Sequence, residues 1–216
     1  MSKQYDNYLD RHIFNVNRAF KWLKENCYED INLYLQRWEN LYEADPLIYG
    51  YWAKAEKNIF THDDSKYSYM EYPAYDAYFY PEYTMTEVKD PKKARKKAEI
   101  DFRYAWQHHI HNNPHHWEYW VAFSDACTIG KEMLNLTPLC IPVEYVLEMI
   151  CDWMSFRMAD DREDPNVYDL VKWYYANKNT TIMHKNTSNL IEAIMDIISG
   201  KMKTTEEEKS CLESET

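Results

Sequence analysis

The chain has 216 residues, and its 45% hydrophobic and 28% charged content is ordinary for a folded domain, which excludes a disordered or collagen-like chain. Its 36 acidic and 25 basic side chains give a net charge of −11, so we expect neither the basic surface that binds extended nucleic acid nor binding to an anionic membrane. The chain has only 3 glycines, which disfavours a fold of many tight hairpins. Its 5 cysteines form no CxxC pair, which disfavours a disulfide framework.

Helical periodicity begins near the N-terminus, which lacks the apolar region of a signal peptide. Apolar residues spaced three and four apart predict helices over 4–25 and 31–43, and His12 falls on the buried face of the first. The tyrosine-rich residues 67–83, interrupted by prolines, predict a short helix with loops. No apolar stretch is long enough to span a membrane, so we predict a cytoplasmic protein.

Pairs of Asp or Asn with Pro mark most of the later helix starts, because the first residue can cap a helix and Pro fits its first turn. The helices predicted from these pairs run from Asp45-Pro46 to about Phe60, from Asp90-Pro91 to about 111, from Asn113-Pro114 to about 134, and from Asp164-Pro165 to about 176. Pro142 predicts a further helix to about Arg157, after a loop that begins at Leu136. Thr187 is expected to cap the last helix and Gly200 to end it.

These elements predict an all-α fold, with one helical domain of about seven to nine helices over residues 1–202. Residues 203–216 are polar and charged with a single Leu, so we expect them to form a flexible acidic tail. No internal repeat and no Gly/Ser linker divides the chain further.

The clearest chemical signal comes from histidine, since five of the 8 histidines lie between positions 108 and 116. A single histidine is more often solvated or hydrogen-bonded, but such a cluster favours metal binding because neutral imidazole is a common ligand of transition metals. His62 and Asp63 are adjacent, and neighbouring side chains on a helical turn point about 100° apart. Both can reach one cation only if it lies against that turn, where the aspartate can also bridge to a second cation.

The segments HDDSK (62–66), HHWEYW (115–120) and EMICDW (148–153), preceded by His12, resemble the motifs of the HD-domain superfamily. HDDSK is similar to the superfamily signature HD-x-G-K, with Ser65 in place of the Gly. The chain is still more similar to an uncharacterised bacterial and phage family with the pattern HI…HDxSK…AWxxH…NxHHxxYW…EMxxDW. The resemblance implies a helical, HD-like core and the activity of a metal-dependent phosphohydrolase.

This match spans residues 12–153 and implies roles for individual residues. The core metal ligands that it implies are His12, His62, Asp63 and Asp152. The ligands that it implies for a second metal are His109, His115 and His116. It also implies that Asp63 and Lys66 take part in catalysis, with Lys66 offering positive charge to a phosphate. His108 and His111, three residues apart, remain alternative ligands.

A mixed set of imidazoles and carboxylates favours one or two divalent transition metals (Mn, Fe, Co, Ni or Zn) over Mg or Ca. We therefore expect a hydrolase that uses metal-activated water on a small phosphorylated substrate such as a nucleotide. Two alternatives remain open: a di-iron oxygenase on the same scaffold, and a non-catalytic, metal-stabilised binding or inhibitory protein. The oligomeric state is also open.

Four further residues in or near these motifs receive weaker assignments. Asn113, Glu118 and Glu148 are candidates to orient the ligand imidazoles, although a structural or solvated role fits Glu148 equally well. His184 lies outside the motifs and is expected to be structural.

Overall fold

The structure is a computed structural model that describes the backbone of residues 2–42, 50–85, 89–123, 136–158 and 165–214, and the side chains of these ranges except 38–42, 123 and 201–214. The elements in these ranges are α1 (Lys3–Tyr42), α2 (Tyr51–Phe60), α3 (Tyr72–Phe79), α4 (Pro81–Thr84), α5 (Pro91–Asn112), β1 (Val121–Phe123), β2 (Leu136–Pro138), α6 (Val143–Ser155), α7 (Val167–Asn177) and α8 (Lys185–Ser214). The predicted all-α class is confirmed. Within the described ranges, no helix combines the length and apolar character needed to cross a membrane.

Helix α1 is continuous, whereas the sequence predicted two helices separated at residues 26–30. That segment contains neither Gly nor Pro, so nothing in it breaks the backbone hydrogen bonds. Cys27 is buried four residues after Leu23 and four before Ile31, so the apolar stripe also continues through the segment.

Two groups of buried apolar side chains meet along α1, and His12 lies between them. The larger group joins the stripe from Val16 onward to α2, α6 and α8. The smaller group contains Tyr5 and Leu9 of α1 together with side chains of α3 and α5. His12 is three residues after Leu9 and four before Val16, so it occupies a core position of the stripe and is buried as predicted.

Helix α6 is the central helix of the larger group and carries a second polar face. Its residues Val146, Leu147, Ile150 and Met154 are fully buried, whereas Val143 is half-buried. Glu148, Asp152 and Ser155 follow one another at spacings of four and three, so they lie on one helix face, and all three are buried. A buried polar face of this kind requires partners, and they are found in the site described below.

The predicted helix over 114–134 is wrong for residues 114–123. A 3₁₀ turn at Trp117–Trp120 leads into β1, which pairs antiparallel with β2 so that Ala122 faces Thr137. The indole of Trp120 donates a hydrogen bond of 2.7 Å to the carbonyl of Pro114 and so closes a turn. In a helix this carbonyl would instead accept from the backbone N–H four residues later. The strand β2 likewise replaces the first part of the predicted loop. Residues 124–134, and the predicted cap at Asp45-Pro46, lie outside the described residues.

The starts of the last two helices also differ from the prediction. Helix α7 begins at Val167, because Asn166 caps it by accepting a 3.2 Å hydrogen bond from the amide of Asp169. Asp164 lies outside the described residues. Thr187 lies inside α8, where its hydroxyl accepts a 2.9 Å hydrogen bond from the amide of Ile141 and ties α8 to the segment before α6.

Gly200 lies inside α8 and does not end it, so the substitution Gly200→Ala is expected to raise the free energy of unfolding by about 0.5–1 kcal/mol. An added Cβ meets no atom within 4 Å there, and alanine restricts the unfolded chain more than glycine does. Urea titration measures the change. Gly50→Ala is the matched control: its site is equally open, but its φ of 97° should make alanine destabilising by about 1–2 kcal/mol. A loss of stability in Gly200→Ala would contradict a helix that continues through this position.

Candidate metal centre

The turn after α2 brings His62 and Asp63 to the same side of the chain. Helix α2 ends at Phe60, and Asp63 adopts φ 60° and ψ 18°, the left-handed conformation that Asp and Asn tolerate better than most residues. No other non-glycine residue of the described ranges has a positive φ. Both side chains are 1% exposed, so this unusual backbone delivers an imidazole and a carboxylate into the interior.

Four donor atoms converge in a first group, formed by His12, His62, Asp63 and Asp152. The Nε2 atom of His12 lies 3.1 Å from Oδ2 of Asp63, 3.3 Å from Oδ1 of Asp152 and 3.3 Å from Nε2 of His62. The Nε2 atom of His62 lies 3.5 Å from each of the same two oxygens. Neighbouring ligands of one cation, bound at about 2.1 Å, are separated by about 3.0–3.4 Å, so His12, His62 and Asp63, whose donor atoms all lie within 4.8 Å of one another, have the dimensions of a coordination shell. Asp152 contacts both imidazoles beside them.

A second group forms around the other oxygen of Asp63. Its Oδ1 atom lies 3.3 Å from Nε2 of His109 and 3.5 Å from Nε2 of His115. The Nε2 atom of His116 lies 2.9 Å from that of His109. One donor atom from each of these four residues falls within 4.8 Å of all the others. Asp63 therefore contributes one oxygen to each group.

Glu148 contacts one imidazole of each group on the side of the ring that faces away from the proposed metals. Its Oε1 atom lies 3.0 Å from Nδ1 of His62, a member of the first group, and 3.0 Å from Nδ1 of His115, a member of the second. A carboxylate only accepts, so both imidazoles donate their Nδ1 protons to it. Each then turns an unprotonated Nε2 toward the centre when the ring is neutral.

The imidazoles of His12 and His109 are held in the same way by other partners. The Ser155 hydroxyl donates a 2.7 Å hydrogen bond to the carbonyl of Asp152, so its lone pair, 3.1 Å from Nδ1 of His12, accepts the proton of that ring. Oε2 of Glu71 lies 2.9 Å from Nδ1 of His109. These contacts assign the Nε2 atoms of both rings as acceptors.

This proton assignment leaves acceptor atoms facing each other in the interior. When both rings are neutral, Nε2 of His12 faces Nε2 of His62 in the first group. Oδ1 of Asp63 and Nε2 of His115 are buried without a hydrogen-bond partner among the described residues. Buried polar atoms are rarely left unsatisfied, and a cation in each group would satisfy all of them. The residues are therefore suited to hold metal ions.

Four buried carboxylates face one buried ammonium around the two groups. The carboxylates belong to Asp63, Asp152, Glu148 and Glu71, and the ammonium belongs to Lys66. Burial alone would raise the pKa of Asp63, but His62 and Lys66 hold it well below its usual range. Burial alone would lower the pKa of His62, but Asp63, Asp152 and Glu148 raise it to about 10. The surroundings favour positive charge, which metal cations would supply.

The remaining histidines lie outside both groups. His108 turns its Nδ1 atom to Oε1 of Glu71 at 2.6 Å and is partly exposed. His111 is exposed and contacts Gln107. The Nδ1 atom of His184 accepts a 3.2 Å hydrogen bond from the amide of Asn186, a contact at the start of α8. The structure thus brings all seven predicted ligands together and leaves the two alternative ligands aside.

Among the predicted orienting residues, Asn113 and Glu148 contact the imidazoles and Glu118 does not. Nδ2 of Asn113 lies 3.0 Å from Nδ1 of His109, and it also donates to the backbone carbonyl of His109 at 2.8 Å and to the hydroxyl of Ser65 at 2.7 Å. Oε2 of Glu118 is buried without a partner among the described residues, and burial raises the pKa of this carboxyl. The sequence reasoning missed Glu71 and Ser155. Neither belongs to a motif, and only a buried-face argument for α6 could have found Ser155.

A cavity of about 660 Å³ opens onto the second group. Asp63, His109, His115, His116 and Asp152 form part of its wall, whereas His12 and His62 lie behind them. Much of the remaining wall consists of aromatic rings, and it also carries the cations Lys66, Arg157 and Lys178. A cavity of this size fits a small-molecule ligand.

Comparisons with known proteins assign a family but no activity. Residues 1–197 match the family model described as "Family of unknown function (DUF5662)". This range contains every residue of the two groups and of the cavity wall. No curated protein and no solved structure was found to match.

Proposed function

The chain belongs to the DUF5662 family, whose function is unknown, and we propose that it is a metal-dependent phosphohydrolase acting on a nucleotide or another small phosphoester. The observation that carries the proposal is Asp63, whose two carboxylate oxygens face separate groups of imidazole nitrogens. A carboxylate so placed can bridge two cations. The resemblance of HDDSK, HHWEYW and EMICDW to the HD-domain superfamily supports the same activity.

In this proposal each group of side chains holds one cation. The first cation is held by His12, His62, Asp63 and Asp152, and the second by Asp63, His109, His115 and His116. Imidazole and carboxylate ligands favour Mn, Fe, Co, Ni or Zn. With two such cations bound, the pKa of a water molecule in the site would be lowered and a phosphoryl oxygen of the substrate would be polarised. Hydrolysis joins the water oxygen to phosphorus, breaks the ester bond and gives a proton to the departing alcohol.

Lys66 places a fixed positive charge beside the reacting group. Its Nζ atom lies 2.5 Å from Oδ2 of Asp63, and the side chain is buried at the cavity wall. Burial would lower the pKa of this ammonium, but Asp63 and Asp152 raise it, so Lys66 remains charged. Its role is to orient Asp63 and to attract the phosphoryl oxygens, while the aromatic wall limits access of bulk water.

Elemental analysis of three proteins, followed by assays of turnover, tests this function. We expect about two equivalents of a transition metal in the wild type, about one in His116→Ala, and two in the matched control His184→Ala. The wild type, loaded with that metal, should hydrolyse at least one nucleotide in a panel of phosphoesters, and His116→Ala should lose most of this activity. A wild type that binds no metal after incubation with Mn, Fe, Co, Ni and Zn would contradict the proposal. Two equivalents of iron with oxygen uptake and no phosphate release would favour the oxygenase, and bound metal without any turnover would favour the binding protein.

A further inference from the structure

We infer that the cavity binds a phosphoester with a second negatively charged group, and that Arg157 holds this second group. The inference rests on the proposed function, which places one phosphoryl group of the ligand at the metal centre. Arg157 lines the same cavity as Asp63 and Asp152. The metals and Arg157 would then bind the two charged parts of one ligand.

The position of Arg157 follows from helix α6. Asp152 lies on the last turns of that helix, and Arg157 comes five residues later, just past the helix end at Ser155. Arg157 and Asp152 line the same cavity, so an anion held by Arg157 and a phosphoryl group at the metal centre would occupy one space.

The guanidinium of Arg157 is held in place by the cavity wall. One of its N–H groups donates to the carbonyl of Trp153, and its central carbon lies 4.5 Å from the centre of the Trp173 ring. The two indoles pack edge to face with ring centres 5.3 Å apart. The N–H groups of a guanidinium lie in one plane, so the groups of Arg157 that remain free in this position are suited to bind two oxygens of one anion.

Arg157 also differs from the other two cations of the cavity wall in its ion pairs. The ammonium of Lys66 lies 2.5 Å from Asp63, and that of Lys178 lies 2.9 Å from Glu192. Among the described residues, no carboxylate lies within ion-pair distance of Arg157. A half-buried guanidinium without a carboxylate partner is suited to bind an anionic ligand.

The aromatic wall indicates what connects the two anionic groups. Trp153, Trp173 and Tyr174 line the cavity beside Arg157, and Phe102 and Trp106 line it beside the histidines. Flat rings stack favourably on such side chains. A nucleotide that carries a second phosphate on its sugar combines a stacking base with a second anionic group.

The inference is tested with adenosine 3′,5′-bisphosphate and adenosine 5′-monophosphate as probes. Zinc-loaded protein is mixed with each probe in a stopped-flow instrument, and the tryptophan fluorescence change before turnover gives the dissociation constant. We expect the bisphosphate to bind at least about tenfold more tightly than the monophosphate to the wild type. Arg157→Gln should reduce this ratio to about one, and Arg157→Lys should restore only part of it.

Lys178→Gln is the matched control, because it removes one positive charge from the same cavity wall. Since Lys178 is already paired with Glu192, this variant should keep most of the preference for the bisphosphate. Thermal unfolding confirms that the variants are folded. If the monophosphate binds but the bisphosphate gains nothing, or if Arg157→Gln keeps the preference, this inference is overturned and the proposed function stands. If neither probe binds to the zinc-loaded wild type, this inference and the proposed function are both wrong.

Discussion

Asp63→Asn is expected to abolish binding of both metal ions and to lower phosphoester turnover by at least about 10³-fold. Asp63 contributes one oxygen to each group of imidazoles, so one substitution changes a ligand of both sites. Asparagine replaces one carboxylate oxygen with an NH₂ group that donates and cannot bind a cation, and it removes the negative charge. Metal ions contribute several kcal/mol to stabilising phosphoryl transfer, and each 1.36 kcal/mol is a factor of ten in rate.

Asparagine is a better replacement here than alanine. Asp63 has a left-handed backbone, which Asn adopts readily and Ala does not, so Asp63→Ala would add strain to the loss of the ligand. Asp64→Asn is the control with the same change in charge at the next residue, and its side chain is exposed. Elemental analysis and steady-state assays should find Asp64→Asn equal to the wild type. Two retained equivalents of metal in a folded Asp63→Asn protein would show that Asp63 does not bridge the two groups.

The proximity of the seven candidate ligands was predicted through the resemblance of their motifs to the HD-domain superfamily, and local signals support the placement of several of them. His12 interrupts an otherwise apolar stripe on α1, which places an imidazole at a buried position. His62-Asp63 follows a helix end, and Asp152 lies on the buried helix α6. The Pro114 turn returns the chain past the end of α5, which brings His115 beside His109. Helix periodicity and turns account for the position of each residue within its own element, whereas the convergence of these elements was implied only by the resemblance.

The partners behind the imidazoles could not be predicted, because they depend on packing between distant elements. Glu71 lies in an aromatic segment with no motif, and it reaches His109 only because α3 packs against α5. The strand β1 was missed because Asn113-Pro114 resembles a helix start. The Trp120 indole favours a turn over a helix after Asn113, because it donates a hydrogen bond to the carbonyl of Pro114. Tertiary contacts override local preference in both cases.

The two groups differ in their access to the cavity. His109, His115 and His116 line the cavity, whereas His12 and His62 are buried behind Asp63. A ligand entering the cavity therefore meets the second group first, with Asp63 and Asp152 between the two. In the proposed hydrolase, the second group is thus placed to contact the substrate, and the first group anchors the bridging carboxylate.

Glu148→Leu is expected to weaken both metal-binding steps by about 10- to 100-fold each, the usual effect of removing a group that orients a ligand imidazole. One oxygen of Glu148 accepts protons from His62 and from His115, which belong to different groups. Without it, both rings lose the contact that directs Nε2 inward. Glu148→Gln retains an accepting oxygen of the same reach, so it should keep most of the affinity. Titration against a chromophoric chelator resolves the two steps.

Ser155→Ala is the matched control on the same face of α6. The Ser155 hydroxyl contacts only His12 among the imidazoles, so its loss should weaken one binding step and leave the other unchanged. A general loosening of α6 would instead weaken both steps in Ser155→Ala, in Glu148→Leu and in Glu148→Gln alike. If Glu148→Leu weakens one step only, the shared oxygen does not connect the two groups. The expected pattern is both steps weakened in Glu148→Leu, one in Ser155→Ala, and neither to a large extent in Glu148→Gln, because Glu148 contacts an imidazole of each group and Ser155 contacts an imidazole of one.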